Sequence, residues 1–146
     1  MEIGESGERN FSFARKPGAD TQLKKEELDQ TLISGCRIFH FGSLSLTDEP
    51  AESTTIEAVK MAKAVGALII KAFQTHAVDT TGAGDSFWGG VLCSILSINK
   101  PVEKMEWEEI RKCAVLGNAV AGLCVQKRGG IPAIPTKEAV LEFMQK

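Results

Sequence analysis

The chain has 146 residues, of which 43% are hydrophobic, and its formal net charge is -2. This length and composition fit one globular domain that can bury a core, and the slight acidity gives no sign of binding to nucleic acid or to an anionic membrane. The longest apolar run, residues 64–70, is far too short to span a bilayer, and the acidic N-terminus is unlike a signal peptide. We therefore predict a cytoplasmic domain with no membrane or nucleic-acid partner.

The cysteines and histidines show no disulfide or metal-binding pattern. No two cysteines form a Cys-x-x-Cys pair, and His40 and His76 lack metal-ligand spacing. Apolar neighbours predict that the thiols are buried and free in a reducing compartment. The four are Cys36, Cys93, Cys113 and Cys124.

Residues 2–16 are predicted to form a β-hairpin arm. Residues 4–7 place two glycines around a polar pair, which is typical of a turn. Residues 9–15 alternate polar and apolar side chains, as a half-buried strand does. A Lys-Pro-Gly sequence at 16–18 then predicts a loop, so the arm ends near residue 20.

A helix is expected after the arm, with Asp20 or Thr21 as its N-cap and Gly35 at its end. Residues 37–41 form a short apolar run that suits a buried parallel strand, and Gly42 begins the loop after it. Open α/β sheets bind ligands at the carboxyl ends of such strands.

A second helix is predicted from Pro50, which is favoured at a first helical position, to Gly66. Residues 67–70 then supply another short apolar strand. Strand, helix and strand thus alternate within residues 21–71, and this order predicts a right-handed βαβ unit in a parallel sheet.

The most informative stretch is Asp79-Thr-Thr-Gly-Ala-Gly-Asp85, and a helix is predicted from Asp85 to about Asn99. The small residues at 82–84 let the backbone approach a ligand, and free N–H groups at a helix start attract anions such as phosphate. A carboxylate in that first turn can act as a base beside the phosphate. The alternative is that Asp85 only complements the helix dipole and the glycines only make a turn.

The C-terminal part of the chain is predicted to contain two more helices. One runs from Trp107 to about Gln126, and Thr136 caps the other. Residues 128–132, Arg-Gly-Gly-Ile-Pro, are predicted to form the turn between them. The buried stripe of the longer helix is predicted to comprise Ile110, Ala114, Val115, Ala119, Gly122 and Leu123.

The stretch at 79–90 resembles the D-T-x-G-A-G-D signature of the PfkB, or ribokinase-like, sugar kinases, with every constrained position filled. Other blocks resemble the fructokinases of that family, above all residues 38–46 and 127–135. The resemblance implies an α/β fold, namely a partial ribokinase-like three-layer α/β/α arrangement with a mainly parallel sheet. It divides the chain into a remnant of the β lid (1–20), part of the core (21–71) and the nucleotide and anion-hole part (72–146).

Two blocks of the family are missing from the sequence. Fructokinases begin with a glycine-rich segment that carries much of the sugar site, and this chain starts after it. Beyond Ile70 the family continues with further strands and helices, with an N-x-x-E motif tied to magnesium and with a segment near the nucleotide. No N-x-x-E occurs in this sequence. We therefore expect truncation at the N-terminus and an internal deletion after about Ile70.

Position by position, the resemblance assigns catalytic roles to the glycine-rich turn. Asp85 would take the proton from the sugar hydroxyl. Backbone N–H groups of Gly82, Ala83 and Gly84 would form the anion hole for the transferring phosphoryl group. Positioning and charge stabilisation provide most of the catalysis in such transfers.

The resemblance also implies four binding residues. Asp79 and Thr81 match positions that hold a monovalent cation, although both residue types commonly just build turns. Asn118 matches a position near adenine, and an ordinary polar residue in a helix is the alternative. Arg15 lies where the fructokinase arm approaches the sugar, and a solvated charge at a strand end is the alternative. The predicted ATP contacts are Thr81, Gly82, Gly84 and Asn118.

The implied reaction is transfer of a phosphoryl group from ATP to a hydroxyl of a sugar such as fructose, with Mg2+ required and K+ as a candidate second cation. A different hypothesis is a catalytically silent remnant that keeps a phosphate or nucleotide pocket or serves as an interaction module. A third is an unstable or oligomeric chain, with a homodimer as one form, because the deletion would leave sheet surface and edges bare.

Overall fold

The computed structural model describes residues 2–3, 9–10 and 17–145, which fall into two compact units, Met1–Leu68 and Ile69–Lys146. The first unit contains strands β1 (Glu2–Ile3) and β2 (Arg9–Asn10) and helices α1 (Gln30–Gly35) and α2 (Ala51–Ala64). The second unit contains helices α3 (Ala83–Ile98), α4 (Trp107–Cys124) and α5 (Lys137–Phe143). Short 3-10 turns lie at Ala19–Thr21, Lys25–Glu27, Ser43–Leu46, Val102–Lys104 and Ile131–Ala133.

The described part of the N-terminal arm is a pair of antiparallel strands. Glu2 of β1 lies opposite Asn10 of β2, and Ile3 lies opposite Arg9. This is the pairing predicted for the arm. The predicted turn and most of the second predicted strand, including the candidate sugar contact Arg15, lie outside the described residues.

Helix α1 is shorter than the sequence predicts. It begins after Asp29, whose carboxylate accepts a backbone N–H of the first turn at 3.0 Å, and it ends at Gly35 as predicted. The prediction of Asp20 or Thr21 as its N-cap is wrong. Residues 24–27 are all charged and exposed, so they offer no apolar face that a longer helix could bury.

Helices α1 and α2 share the core of the first unit. Thr54 of α2 is fully buried, and its hydroxyl donates to the Leu23 carbonyl at 2.9 Å, which satisfies a polar group inside the unit. The apolar cluster consists of buried Ile33, Ala58 and Ala62, with half-buried Leu28, Phe39 and Met61 packed against it.

The predicted parallel sheet is absent from the described residues, so the α/β prediction with a mainly parallel sheet and a βαβ unit is wrong. Residues 37–41 and 67–70 form no strand, and the strand pairing described is that of β1 with β2. A strand needs a neighbour that completes its backbone hydrogen bonds, and neither segment has one in the described ranges. Several apolar side chains of the two segments are exposed, since Ile38 is 55%, Leu68 66% and Ile69 59% exposed, whereas Phe39 packs against the core of the first unit.

Helices α3 and α4 cross closely and form the core of the second unit. A Cβ added to Gly90 of α3 would lie 3.0 Å from the Gly117 Cα, and one added to Gly117 of α4 would lie 2.7 Å from the Val91 Cγ2. The helices approach this closely because both positions lack a side chain. The surrounding core consists of Val91, Met105, Ile110 and Cys113, with Phe87, Ile95 and Ile98 against it.

The helix ends in the second unit agree with the sequence. Helix α3 ends at Ile98, and Asn99 follows in the left-handed conformation with φ 51°. Helix α4 ends at Cys124, two residues before the predicted Gln126. Thr136 caps α5 as predicted, because its hydroxyl accepts the Ala139 N–H at 3.3 Å.

The buried stripe of α4 is rotated from the predicted one. Three of its six predicted members are buried and three are only half-buried, since α3 crosses at Gly117 and covers a neighbouring face. The buried three are Ile110, Ala119 and Gly122, and the half-buried three are Ala114, Val115 and Leu123.

All four cysteines are free. Cys113 and Cys124 are buried as predicted, whereas Cys36 and Cys93 are exposed, so the prediction is wrong for those two. The helices of the described ranges are all too short or too polar to cross a membrane.

Candidate functional site

Gly82 forms the turn that starts α3. Its backbone is left-handed, with φ 77° and ψ 8°, a conformation that glycine adopts without steric cost. A Cβ at Gly82 would lie 3.2 Å from the Cα of Gly130, so the neighbouring loop also leaves little room for a side chain. The turn therefore presents bare backbone at the N-terminus of the helix.

The N-terminus of α3 keeps unused backbone donors. The Gly82 carbonyl accepts the first helical bond at 2.8 Å, and the Ala83 N–H donates to the Thr80 carbonyl at 3.2 Å. No side chain of the described residues caps this helix. No group among the described residues accepts a hydrogen bond from the N–H groups of Gly82, Gly84 and Asp85.

A cleft of about 300 Å³ opens beside this turn. Asp85 lies on its wall and is exposed, and its carboxylate makes no hydrogen bond or ion pair with the described residues. Ser86 is buried, and its hydroxyl donates to the Ala83 carbonyl at 3.0 Å. The rest of the described wall consists of Thr81, Gly82, Gly89, Gly90, Val120, Gly130, Ile131 and Ile134.

Asp79 ties the turn to the loop that follows α4. One carboxylate oxygen accepts the Thr81 N–H at 2.9 Å, and the other accepts the Gly129 N–H at 2.8 Å. The bond from Gly129, then those with Thr81, and the charge of Arg128 lower the pKa of Asp79 from 3.8 to about 2. The carboxylate is therefore ionised throughout the neutral range.

The lowered pKa of Asp79 predicts how acid affects the hydrogen bonds between this carboxylate, the turn and the loop after α4. Because the pKa of Asp79 is lower in the folded chain, about 2, than its usual value of 3.8, the ionised group stabilises the fold above pH 4 or so. That stabilisation is lost as the pH falls through about 2. In Asp79→Asn, the melting temperature should therefore vary less between about pH 4 and pH 2 than in the wild type. Identical melting profiles of the two chains across that window would contradict the prediction.

The other predicted site residues do not all meet at the cleft. Thr81 lies on its wall, but Asn118 is not part of the described wall. The side-chain amide of Asn118 instead donates to the Lys71 carbonyl at 3.0 Å. Its contact with adenine stays a prediction, as does the cation site at Asp79 and Thr81.

The loop that faces the turn was not among the predicted site residues. The sequence pattern of residues 128–132 predicts only a turn, yet Gly130 and Ile131 line the cleft and the Gly129 N–H donates to the Asp79 carboxylate. The available signal was the glycine pair, since adjacent glycines are typical of a loop that adopts positive φ or lies close to another backbone. Gly129 indeed has φ 85°.

Several fructokinases are similar to this chain. The chain is 27% identical over 221 positions to probable fructokinase-2 of Arabidopsis thaliana, across 95% of this chain and 67% of that protein. Fructokinase-2 of Zea mays is 25% identical over 222 positions, across 96% of this chain and 66% of that protein. The crystal structure of fructokinase with bound ATP from Xylella fastidiosa matches with a TM-score of 0.50 and 20% identity, across 98% of this chain and 72% of that one. This last likeness concerns the fold alone.

The relatives contain residues that this chain lacks. The alignment with the first relative runs over 221 positions, whereas the chain has 146 residues, so at least 75 aligned positions have no counterpart here. The aligned region spans 67% of that relative and 58% of probable fructokinase-6, a chloroplastic protein of Arabidopsis thaliana. Gaps of this total size agree with the predicted internal deletion.

One family profile matches a range of the chain that includes every described residue of the cleft. The profile of the pfkB family carbohydrate kinases matches residues 62–137, which is more than half of the chain. This range contains the turn at Gly82, helices α3 and α4, and the loop after α4. The chain therefore belongs to the pfkB family of carbohydrate kinases.

Proposed function

We propose that the chain is a fructokinase-type kinase, which transfers a phosphoryl group from ATP to a hydroxyl of a sugar such as fructose. The observation that carries this proposal is the combination of unused backbone donors at the start of α3 with the exposed Asp85 carboxylate on the same cleft. Membership of the pfkB family and the similarity to fructokinases, one of which has bound ATP, support it.

The turn suits a phosphoryl anion. The N–H groups of Gly82, Gly84 and Asp85 lie in the first turn, at the positive end of the α3 dipole. The backbone at Gly84 is uncrowded, since a Cβ there would have nothing within 4 Å. The cleft volume of about 300 Å³ is at the lower end of small-molecule sites. We assign the transferring phosphate of ATP to this position.

Asp85 is the base in the proposed step. Its carboxylate takes the proton of the sugar hydroxyl, whose oxygen bonds to phosphorus while the bond from phosphorus to the bridging oxygen of ADP breaks. Backbone donors stabilise the negative charge on the phosphoryl oxygens. Because the Ala83 N–H already donates to Thr80, we assign this role to Gly82, Gly84 and the N–H of Asp85 itself.

Among the described residues, Mg2+ fits as an ion that binds together with the nucleotide. The described residues contain no group of three or more His, Cys, Asp or Glu side chains that could hold a metal. Asp85 is the one carboxylate on the described wall of the cleft. Since Mg2+ commonly binds one or two carboxylates together with substrate phosphates, ATP itself would complete its ligands, and the ion would neutralise phosphate charge.

A second candidate is a remnant that binds phosphate or nucleotide without turnover. The described wall offers few groups to a sugar: besides Asp85, its polar side chains are Thr81 and the already bonded Ser86. A base acts only when the alcohol lies within hydrogen-bond reach. Residues that the relatives carry and this chain lacks would be the source of the missing sugar contacts.

Two measurements on the full chain separate these candidates. The first is ADP release in the presence of ATP and Mg2+, with and without fructose, and the second is ATP binding by calorimetry. ADP release that depends on fructose supports the kinase. ATP binding without fructose-dependent release supports the remnant, and absence of both contradicts the two proposals together.

A further inference from the structure

The Asp79–Gly129 hydrogen bond joins two segments that lie 50 residues apart in the chain. The same region is tied at a second place, where the N–H groups of Val78 and Asp79 donate to the Val125 carbonyl at 2.7 and 3.1 Å. The segment that leads into the turn is therefore fixed to both the end of α4 and the loop beyond it.

That loop lies against the turn at the cleft. A Cβ at Gly82 would be 3.2 Å from the Gly130 Cα, and one at Gly130 would be 3.7 Å from the Thr81 Cγ2. Gly82, Gly130 and Thr81 all line the cleft. A displacement of the loop would thus change the cleft next to the unused backbone donors of α3.

We propose that Asp79 is a positioning residue, whose carboxylate holds the loop at 127–130 against the turn at 80–82 and so keeps the donors of α3 placed for a phosphoryl anion. This inference rests on the proposed function of the cleft. The Asp79 carboxylate makes both contacts at once, since one oxygen accepts the Thr81 N–H at 2.9 Å and the other accepts the Gly129 N–H at 2.8 Å.

The substitution Asp79→Asn removes the hydrogen bond to Gly129 and keeps the one that forms the turn. An asparagine oxygen can still accept the Thr81 N–H, since Asn builds such turns as Asp does. Its side-chain NH2 group donates and cannot accept the Gly129 N–H. The matched control is Glu108→Gln, which removes one negative charge from an exposed pair with Arg111 in the same unit.

The test is a titration of the 15N-labelled full chain with inorganic phosphate at pH 7, followed through the amide resonances of Gly82 and Gly84. Wild type and Glu108→Gln should give equal dissociation constants. Asp79→Asn should bind roughly tenfold more weakly, as expected for the loss of one charge-assisted hydrogen bond. Melting is measured in parallel, because a merely structural role would lower the melting temperature and leave the phosphate affinity of the folded chain unchanged.

The outcomes distinguish this inference from the proposed function. Equal phosphate affinity in Asp79→Asn and wild type overturns the inference alone. No phosphate response in the wild type overturns the proposed function and the inference with it. If Asp79→Asn does not fold, Asp79→Glu decides: its longer side chain should displace the loop and weaken binding, and unchanged binding overturns the inference.

Discussion

Asp85→Asn is expected to lower fructose-dependent ADP release by about 100- to 10,000-fold, the usual contribution of a positioned general base. Asparagine has nearly the same shape but cannot accept the proton of the sugar hydroxyl at neutral pH. Because the Asp85 carboxylate is exposed and makes no hydrogen bond or ion pair with the described residues, the fold should survive the change. The rate of ADP release and the affinity for ATP are measured on the same preparations.

Glu108→Gln is the control for the loss of a surface charge, and its turnover should equal that of the wild type. ATP binding should persist in Asp85→Asn, since the proposed phosphate contacts are backbone groups. If Asp85 only complements the α3 dipole, the substitution costs about 0.3–1 kcal/mol of stability and leaves turnover unchanged. Unchanged turnover would therefore exclude Asp85 as the base.

Gly117→Ala is expected to lower the free energy of unfolding by about 1–3 kcal/mol, the usual cost of overpacking a core. The new Cβ would lie 2.7 Å from the Val91 Cγ2 and 2.8 Å from the backbone oxygen of Phe87. A side chain can rotate away, but the backbone oxygen moves only if α3 itself shifts. Alanine improves helix propensity by about 1 kcal/mol, which is less than the contact should cost. Urea unfolding followed by tryptophan fluorescence measures the difference.

Gly122→Ala is the matched control, since it makes the same change in the same helix. Its Cβ would lie 3.5 Å from the Phe143 Cε1 and 3.7 Å from the Phe73 Cβ, which are ordinary contact distances. We expect no loss of stability and a gain of up to about 1 kcal/mol from helix propensity. Equal effects of the two substitutions would show that the crossing of α3 and α4 does not decide the outcome.

Nearby residues were enough to predict the helices of the second unit. Thr136 caps α5 through a bond to a residue three positions later, and Asn99 ends α3 by its own left-handed backbone. Such signals depend on a few neighbouring residues, so a single sequence contains them. For the same reason, the glycine-rich motif was enough to locate the turn and the first turn of α3.

Contacts between distant segments were decided only by the tertiary structure. The apolar runs at 37–41 and 67–70 have the composition of strands, but a strand forms only where another segment completes its hydrogen bonds. The described residues provide none, so both runs stay unpaired. The face of α4 that is buried likewise depends on where α3 crosses it, which the periodicity of α4 alone does not specify.

The sequence by itself determined the glycine-rich motif at 79–85 and the position of the helix that follows it, Ala83–Ile98. Only the tertiary structure showed that the Asp79 carboxylate accepts a hydrogen bond from the Gly129 N–H, 50 residues away, and that the Gly130 backbone lies against Gly82 beside the cleft. The physical reason is the range of the interactions. Caps and turns form between neighbours along the chain, whereas a cleft wall and a packed crossing form between segments that only folding brings together.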